Sequence, residues 1–107
     1  MATLSVENIA VTGLNATYNA VAASDEFAND GNVIVHVKNG DGSANTVTIT
    51  TPQTVNGLAV ADAGGSVPAG EDRFFGPFPR ATYNDGSGNV TVSHSNTTSN
   101  TIAVMRI

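Results

Sequence analysis

Cysteine is absent from these 107 residues, which excludes disulfide staples, thiol nucleophiles and Cys-based zinc sites. Tryptophan is absent too, and charged residues make up only 12%, about half the usual share. Lys38, Arg73, Arg80 and Arg106 are the only basic residues against nine acidic ones, a net charge of -5. So few cations argue against phosphate binding and hence against a nucleic-acid partner. No run approaches the ~18 apolar residues of a membrane span, so no membrane partner is expected. The start, Met1-Ala2-Thr3-Leu4-Ser5, lacks the basic and apolar regions of a signal peptide. The expectation is one small domain, synthesised in a cytoplasm.

Helix formers are scarce as well. Leu, Met, Glu, Gln, Lys and Arg together number 13, whereas Val, Thr and Ile number 31. Branching at Cβ suits a pleated surface, and the 12 Asn, 11 Gly and eight Ser supply turns. The composition predicts an all-β protein: a single β-sandwich or jelly-roll-like domain of about seven to nine short strands.

Alternation locates the strands. Leu4 and Val6 share one parity and Ile9 and Val11 the other, so residues 1–11 read as an N-terminal arm or first strand with a bulge near Glu7-Asn8. Residues 12–107 form the sandwich. Leu14, Ala16, Tyr18, Ala20 and Ala22 alternate as a strand would, with a short helical turn over 16–28 as the competitor. Residues 32–38 give the clearest strand, with Val33, Val35 and Val37 on one face and Ile34 and His36 on the other. Asn39-Gly40-Asp41-Gly42 reads as a hairpin connection to a return strand over 45–51, ended by Pro52. Val55, Leu58 and Val60 make a short strand, Gly64-Gly65 a flexible corner, and Val67-Pro68-Ala69-Gly70 a turn into 71–75. After the turn Asn84-Asp85-Gly86-Ser87-Gly88, strands over 89–95 and 101–107 finish the chain.

No constellation for catalysis emerges, and the chain is not expected to be an enzyme. His36 and His94 lie 58 positions apart with no ligand-spaced acid beside either, so no metal site or cofactor is expected. Gly64-Gly65-Ser66-Val67-Pro68 comes nearest to a hydrolase elbow but ends in proline and precedes no helix. Asn39, Asp41 and Ser43 alternate oxygens as a calcium loop does, yet Ala44 stands where that loop needs glycine. Asn-x-Thr sequons at Asn15, Asn89 and Asn96 number roughly what this composition produces by chance.

One cluster stands out: Arg73-Phe74-Phe75-Gly76-Pro77-Phe78-Pro79-Arg80 holds three of the four phenylalanines and two of the four basic residues. Alternation cannot bury both Phe74 and Phe75 in one core. Either one fills the core while the other caps an edge, or Arg73, Phe74, Phe75, Phe78 and Arg80 form an anchor for another protein, stiffened by proline.

Other stretches carry a resemblance: Gly13-Leu14, Thr17-Tyr18, Phe27-Ala28-Asn29-Asp30-Gly31, Val35-His36-Val37-Lys38-Asn39 and Val47-Thr48-Ile49. It continues through Val67-Pro68-Ala69-Gly70, Gly76-Pro77-Phe78-Pro79, Tyr83-Asn84 and Gly88-Asn89-Val90-Thr91-Val92. With these the chain resembles small β-sandwich capsid decoration (cement) proteins of tailed bacteriophages and prophages. The resemblance implies a non-enzymatic virion protein on the capsid surface that binds the major capsid protein, stiffens the shell, and forms a homo-oligomer such as a trimer. It also implies an N-terminal segment reaching onto a neighbour, here carried by Leu4, Val6 and Ile9. The alternatives are a head-tail or tail-fibre component of the virion, or a carbohydrate-binding sandwich using Tyr18 or Tyr83.

Overall fold

In the computed structural model the β-branched runs become strands that stack as two packed sheets, so the all-β sandwich expectation holds. The structure describes residues 2–52, 54–59 and 61–107. The first strands are β1 (Ala2–Leu4), β2 (Val6–Asn8), β3 (Asn19–Ala20) and β4 (Ser24–Ala28). Next come β5 (Val33–Asn39), β6 (Asn45–Ile49), β7 (Thr54–Val55), β8 (Leu58–Ala59) and β9 (Ala63–Val67). Then follow β10 (Asp72–Phe75), the short helix α1 (Arg80–Tyr83), β11 (Asn89–His94) and β12 (Asn100–Arg106). The first sheet runs β1-β4-β11-β6-β9, and the second runs β10-β5-β12-β2 with β3 also on β12. Pairing is antiparallel except where β1 joins β4 and β2 joins β12.

Period-two alternation fills the space between the sheets. Val33, Val35, Val37, Ile102 and Val104 come from the second sheet, and Phe27, Val47, Ile49, Val67, Val90 and Val92 from the first; all are essentially fully buried. Burying a valine or isoleucine side chain is worth about 1.5–3 kcal/mol, so this layer supplies the main stabilisation of a chain without disulfides. His36, on the opposite parity of β5, is buried as well, consistent with a strand covered on both sides.

The connections depart from expectation in an instructive way. The turn at 39–44 does not close a hairpin: β5 lies in the second sheet and β6 in the first, so the chain arches across the core. The 95–99 connection does the same between β11 and β12. Buried asparagines hold both arches. Asn39 Nδ2 donates to the Ser43 and Val67 carbonyls at 2.8 and 3.0 Å. Asn100 Nδ2 donates to Asn39 Oδ1 at 3.1 Å and to the Thr98 carbonyl at 2.8 Å. Asn45 Nδ2 reaches Asn100 Oδ1 at 3.1 Å and His94 Nδ1 at 3.0 Å. Each amide meets several partners, which offsets the burial cost of these polar groups, and two of the bonds, Asn39 to Val67 and Asn45 to Asn100, cross between the sheets. Asn39 is thereby turned inward and is not available as a loop oxygen for a cation.

Four further boundaries differ. The first apolar segment breaks at Ser5, where the chain leaves the first sheet for the second, and not at a bulge near Glu7-Asn8. This split, with the two-residue ladders, raises the strands to twelve among the described residues. No helical turn forms in 16–28; β3 and β4 occupy part of it, while the single short helix follows Pro79. Gly64-Gly65 is a strand position and no corner: Gly64 takes a φ of 120° in β9, where a Cβ would collide with the Val47 carbonyl. Thr54-Val55 and Leu58-Ala59 form a small hairpin around Asn56 and Gly57, both at positive φ; Val60 lies outside the described residues.

Candidate functional site

The two sheets present different outer faces to solvent. Strand parity puts Thr3, Ser24, Glu26, Thr46, Thr48, Ser66, Thr91 and Ser93 on the outside of the first sheet. Hydroxyls predominate there, with the Glu26 carboxylate, the Asn89 amide, Ala28 and Gly64 on the same parity. On the second sheet the same logic places Phe74 and Asp72 outward from β10, Ile34, His36 and Lys38 from β5, and Ala103 and Met105 from β12.

A hydrogen-bonded chain organises that face. Tyr18 Oη donates to His36 Nδ1 at 2.6 Å, and His36 Nε2 donates to the Asp72 carboxylate at 2.7 Å. Because a carboxylate only accepts, the proton of the neutral imidazole sits on Nε2 and its lone pair faces Tyr18. Phe74 stacks on the imidazole with centroids 3.9 Å apart and planes 8° from parallel, and Lys38 Nζ lies 4.0 Å from the Tyr18 ring centre. Glu7 adds a second tie, accepting from the Thr17 amide at 2.7 Å. The 9–18 connection therefore returns over this face, which accounts for outward-facing Ala103 and Met105 being buried.

The exposed apolar side chains of the second sheet fall in two places, Phe74 over His36 and Ile9 with Ile107 at the far end of β2 and β12. Phe74 is 63% exposed; Ile9 and Ile107, each one residue beyond the Asn8–Arg106 pair, are 47% and 61% exposed. Val11 projects fully at the tip of a turn closed by Gly13 N–H donating to the Ala10 carbonyl. Leu58, on the β7–β8 hairpin, is exposed elsewhere.

Charge is divided in the same way. Lys38, Arg73 and Arg106 belong to the second sheet, and Arg80 lies against Gly31, in the turn leading into β5. Glu7, Asp30, Glu71 and Asp72 balance these four cations. Arg106 pairs with Asp30 at 2.7 Å, and Arg73 with Glu71 at 2.9 Å. The amide of Asn32, then the Arg106 guanidinium, hold the Asp30 carboxyl below the usual carboxylate range. The other five carboxylates, Asp25, Glu26, Asp41, Asp62 and Asp85, equal the net charge of -5 in number, and of them only Glu26 lies on the outer face of the first sheet.

Of the residues expected at a partner surface, Phe74 and Ile9 are exposed, Arg73 and Arg80 are accessible, and Val6 and Phe75 are half-buried against the core. Leu4 and Phe78, expected there too, lie in the core instead. Phe78 packs between Phe27 at 5.9 Å and Tyr83 at 5.4 Å, because Asn29 Nδ2 ties its carbonyl down at 2.9 Å. Sequence reasoning missed Tyr18, His36, Lys38 and Asp72 as a group. Their only sequence signal was the shared parity of His36 and Lys38, since Tyr18 and Asp72 arrive through tertiary pairing.

Comparison of the chain with protein-family models, with curated proteins and with solved structures returns no match.

Proposed function

We propose that this chain is a structural virion protein of the capsid decoration type, binding the major capsid protein through the outer face of its second sheet and stabilising the shell. The observation that carries this reading is the asymmetry between the faces. One exposes Phe74, Ile9 and Ile107 beside Lys38 and Asp72, while the other is covered mainly by hydroxyls. Apolar anchors within a polar rim suit a protein interface, whereas a hydroxyl-rich face suits water. Phe74 is held in place by His36, so little ordering cost falls on binding. The family resemblance across most of the chain supplies the capsid as partner, and a repeating lattice makes modest single contacts sufficient through avidity. Placement on the virion surface after cytoplasmic synthesis belongs to the same proposal.

The test is to mix purified protein with capsids that lack it. Binding and a raised resistance of the shells to heat or chelators are expected, and no binding at micromolar protein overturns the reading. Copy number separates this role from the head-tail or tail-fibre alternative: on the order of hundreds per particle for decoration, about six or twelve for a position on the axis. A carbohydrate platform gains no support from the aromatic geometry. Tyr18 is engaged with His36, and Tyr83 is half-buried against Phe78.

A further inference from the structure

The free edge of the second sheet carries its own lock. β10 ends that sheet, with only β5 beside it. Asn39 N–H donates to the Glu71 carbonyl at 2.9 Å, and the register pairs Arg73 with Val37 and Phe75 with Val35. Antiparallel pairing alternates the direction of successive backbone groups, so Glu71, Arg73 and Phe75 turn theirs toward β5. Asp72 and Phe74 therefore aim their N–H and C=O groups at open solvent. Such a row is a template for a further strand, and a second copy of this chain is the partner always at hand.

We propose that Arg73 closes this edge against pairing with β10 of a second copy. Its Nη1 donates to the Asp72 carbonyl at 2.7 Å, occupying an outward acceptor that an added strand would need. Its Nη2 is held by Glu71 Oε1 at 2.9 Å, which fixes the guanidinium over the edge. Two-fold self-pairing must match outward groups with outward groups, which leaves few registers. One pairs Asp72 with Phe74 of the copy and sets Arg73 against the copy's Arg73. Another sets Asp72 against the copy's Asp72 and Arg73 against the copy's Glu71, so there Arg73 opposes pairing only through its cap on the Asp72 carbonyl. Like charges directly opposite destabilise a strand pair. A third, centred on Phe74, runs into Gly76, whose φ of 118° ends the extended strand. Arg73 thus acts twice, as a cap on Asp72 and as a charge facing itself. This role is independent of the capsid reading.

The experiment compares the full-length wild type with Arg73→Thr and Arg73→Gln by sedimentation velocity over a wide range of concentration, with circular dichroism reporting the fold. Both variants should self-associate about fivefold or more tightly than the wild type. The amides of Asp72 and Phe74 should gain hydrogen-exchange protection as concentration rises. Adding Phe74→Pro, which removes an outward N–H and no bond to β5, should abolish the gain. If folded Arg73→Thr and Arg73→Gln sediment as the wild type does, the proposal is overturned. It is equally overturned if their association survives Phe74→Pro. Should Arg73→Thr lose the fold, Arg73→Gln carries the same test.

Discussion

The outer faces of the two sheets are built from one alternation rule and end with opposite characters. On the first sheet most outward positions are hydroxyls, from Thr46 and Thr48 to Thr91 and Ser93. On the second, Phe74, Ile34, Ala103 and Met105 share the outward positions with His36, Lys38 and Asp72, and a returning connection ending in Tyr18 lies over part of them. A face that water can solvate is left bare. A face that water solvates poorly is partly strapped by its own chain and partly left open. The open part is where the proposed capsid contact would lie, with the hydroxyl-rich face left to solvent.

That comparison can be broken most severely from between the sheets. Val35→Asp places a charge in the fully buried layer that both faces rest on. The cost is of the order of the whole stability of a domain, ~5–15 kcal/mol, so the variant should be unfolded by circular dichroism. An unchanged melting curve would show that the parity of β5, and with it both outer faces, is misassigned.

A smaller break comes at the arches that keep the sheets apart. Asn100→Ala removes donors to Asn39 and Thr98 and an acceptor for Asn45. The partners left inside should cost about 2–3 kcal/mol, measurable by urea denaturation. The faces themselves come next. Phe74→Ala should weaken capsid binding about tenfold or more while shifting stability little. Thr48→Ala on the first sheet should leave binding unaltered and stability within about 0.5 kcal/mol. If Thr48→Ala weakened binding as much as Phe74→Ala, the two faces would not differ in function.

The subtlest test uses protons. Burial pushes His94 below the ordinary histidine value of 6.5, opposed by the Asp25 carboxylate. Its Nδ1 accepts from Asn45, while its buried Nε2 has no partner among the described residues. The unfolded chain therefore takes up a proton near pH 6.5 that the folded chain resists. This contribution is full above that pH and declines as pH falls below it. Thermal melts of His94→Gln should show a flatter decline there than those of the wild type. By contrast His36, bonded on both nitrogens on the outer side of the other sheet, has its proton position set by Asp72 and Tyr18.

Much of the fold was legible because burial follows parity. Val33, Val35, Val37, Val47 and Ile49 face inward as alternation requires, and Phe74 and Phe75 part in the way two adjacent strand residues must. The candidate site was half legible. Phe74, Ile9 and the arginines were visible as a cluster or a parity slip, while Leu4 and Phe78 were taken for surface residues. Leu4 belongs to a strand that pairs within the molecule's own first sheet, and Phe78 is pulled inward by Asn29, and neither contact has a local signature.

What the residues determined unaided was strand character, the inward set, and the shortage of charge and helix formers, because these depend on each side chain and its immediate neighbours. Which strands lie side by side was decided only by the tertiary structure. Two β-strands facing each other across a core have the same alternation as two paired in a hairpin. Asn39, Asn45 and Asn100 choose the arch through bonds that cross between sheets, and residues up to 55 positions apart must meet before that choice exists.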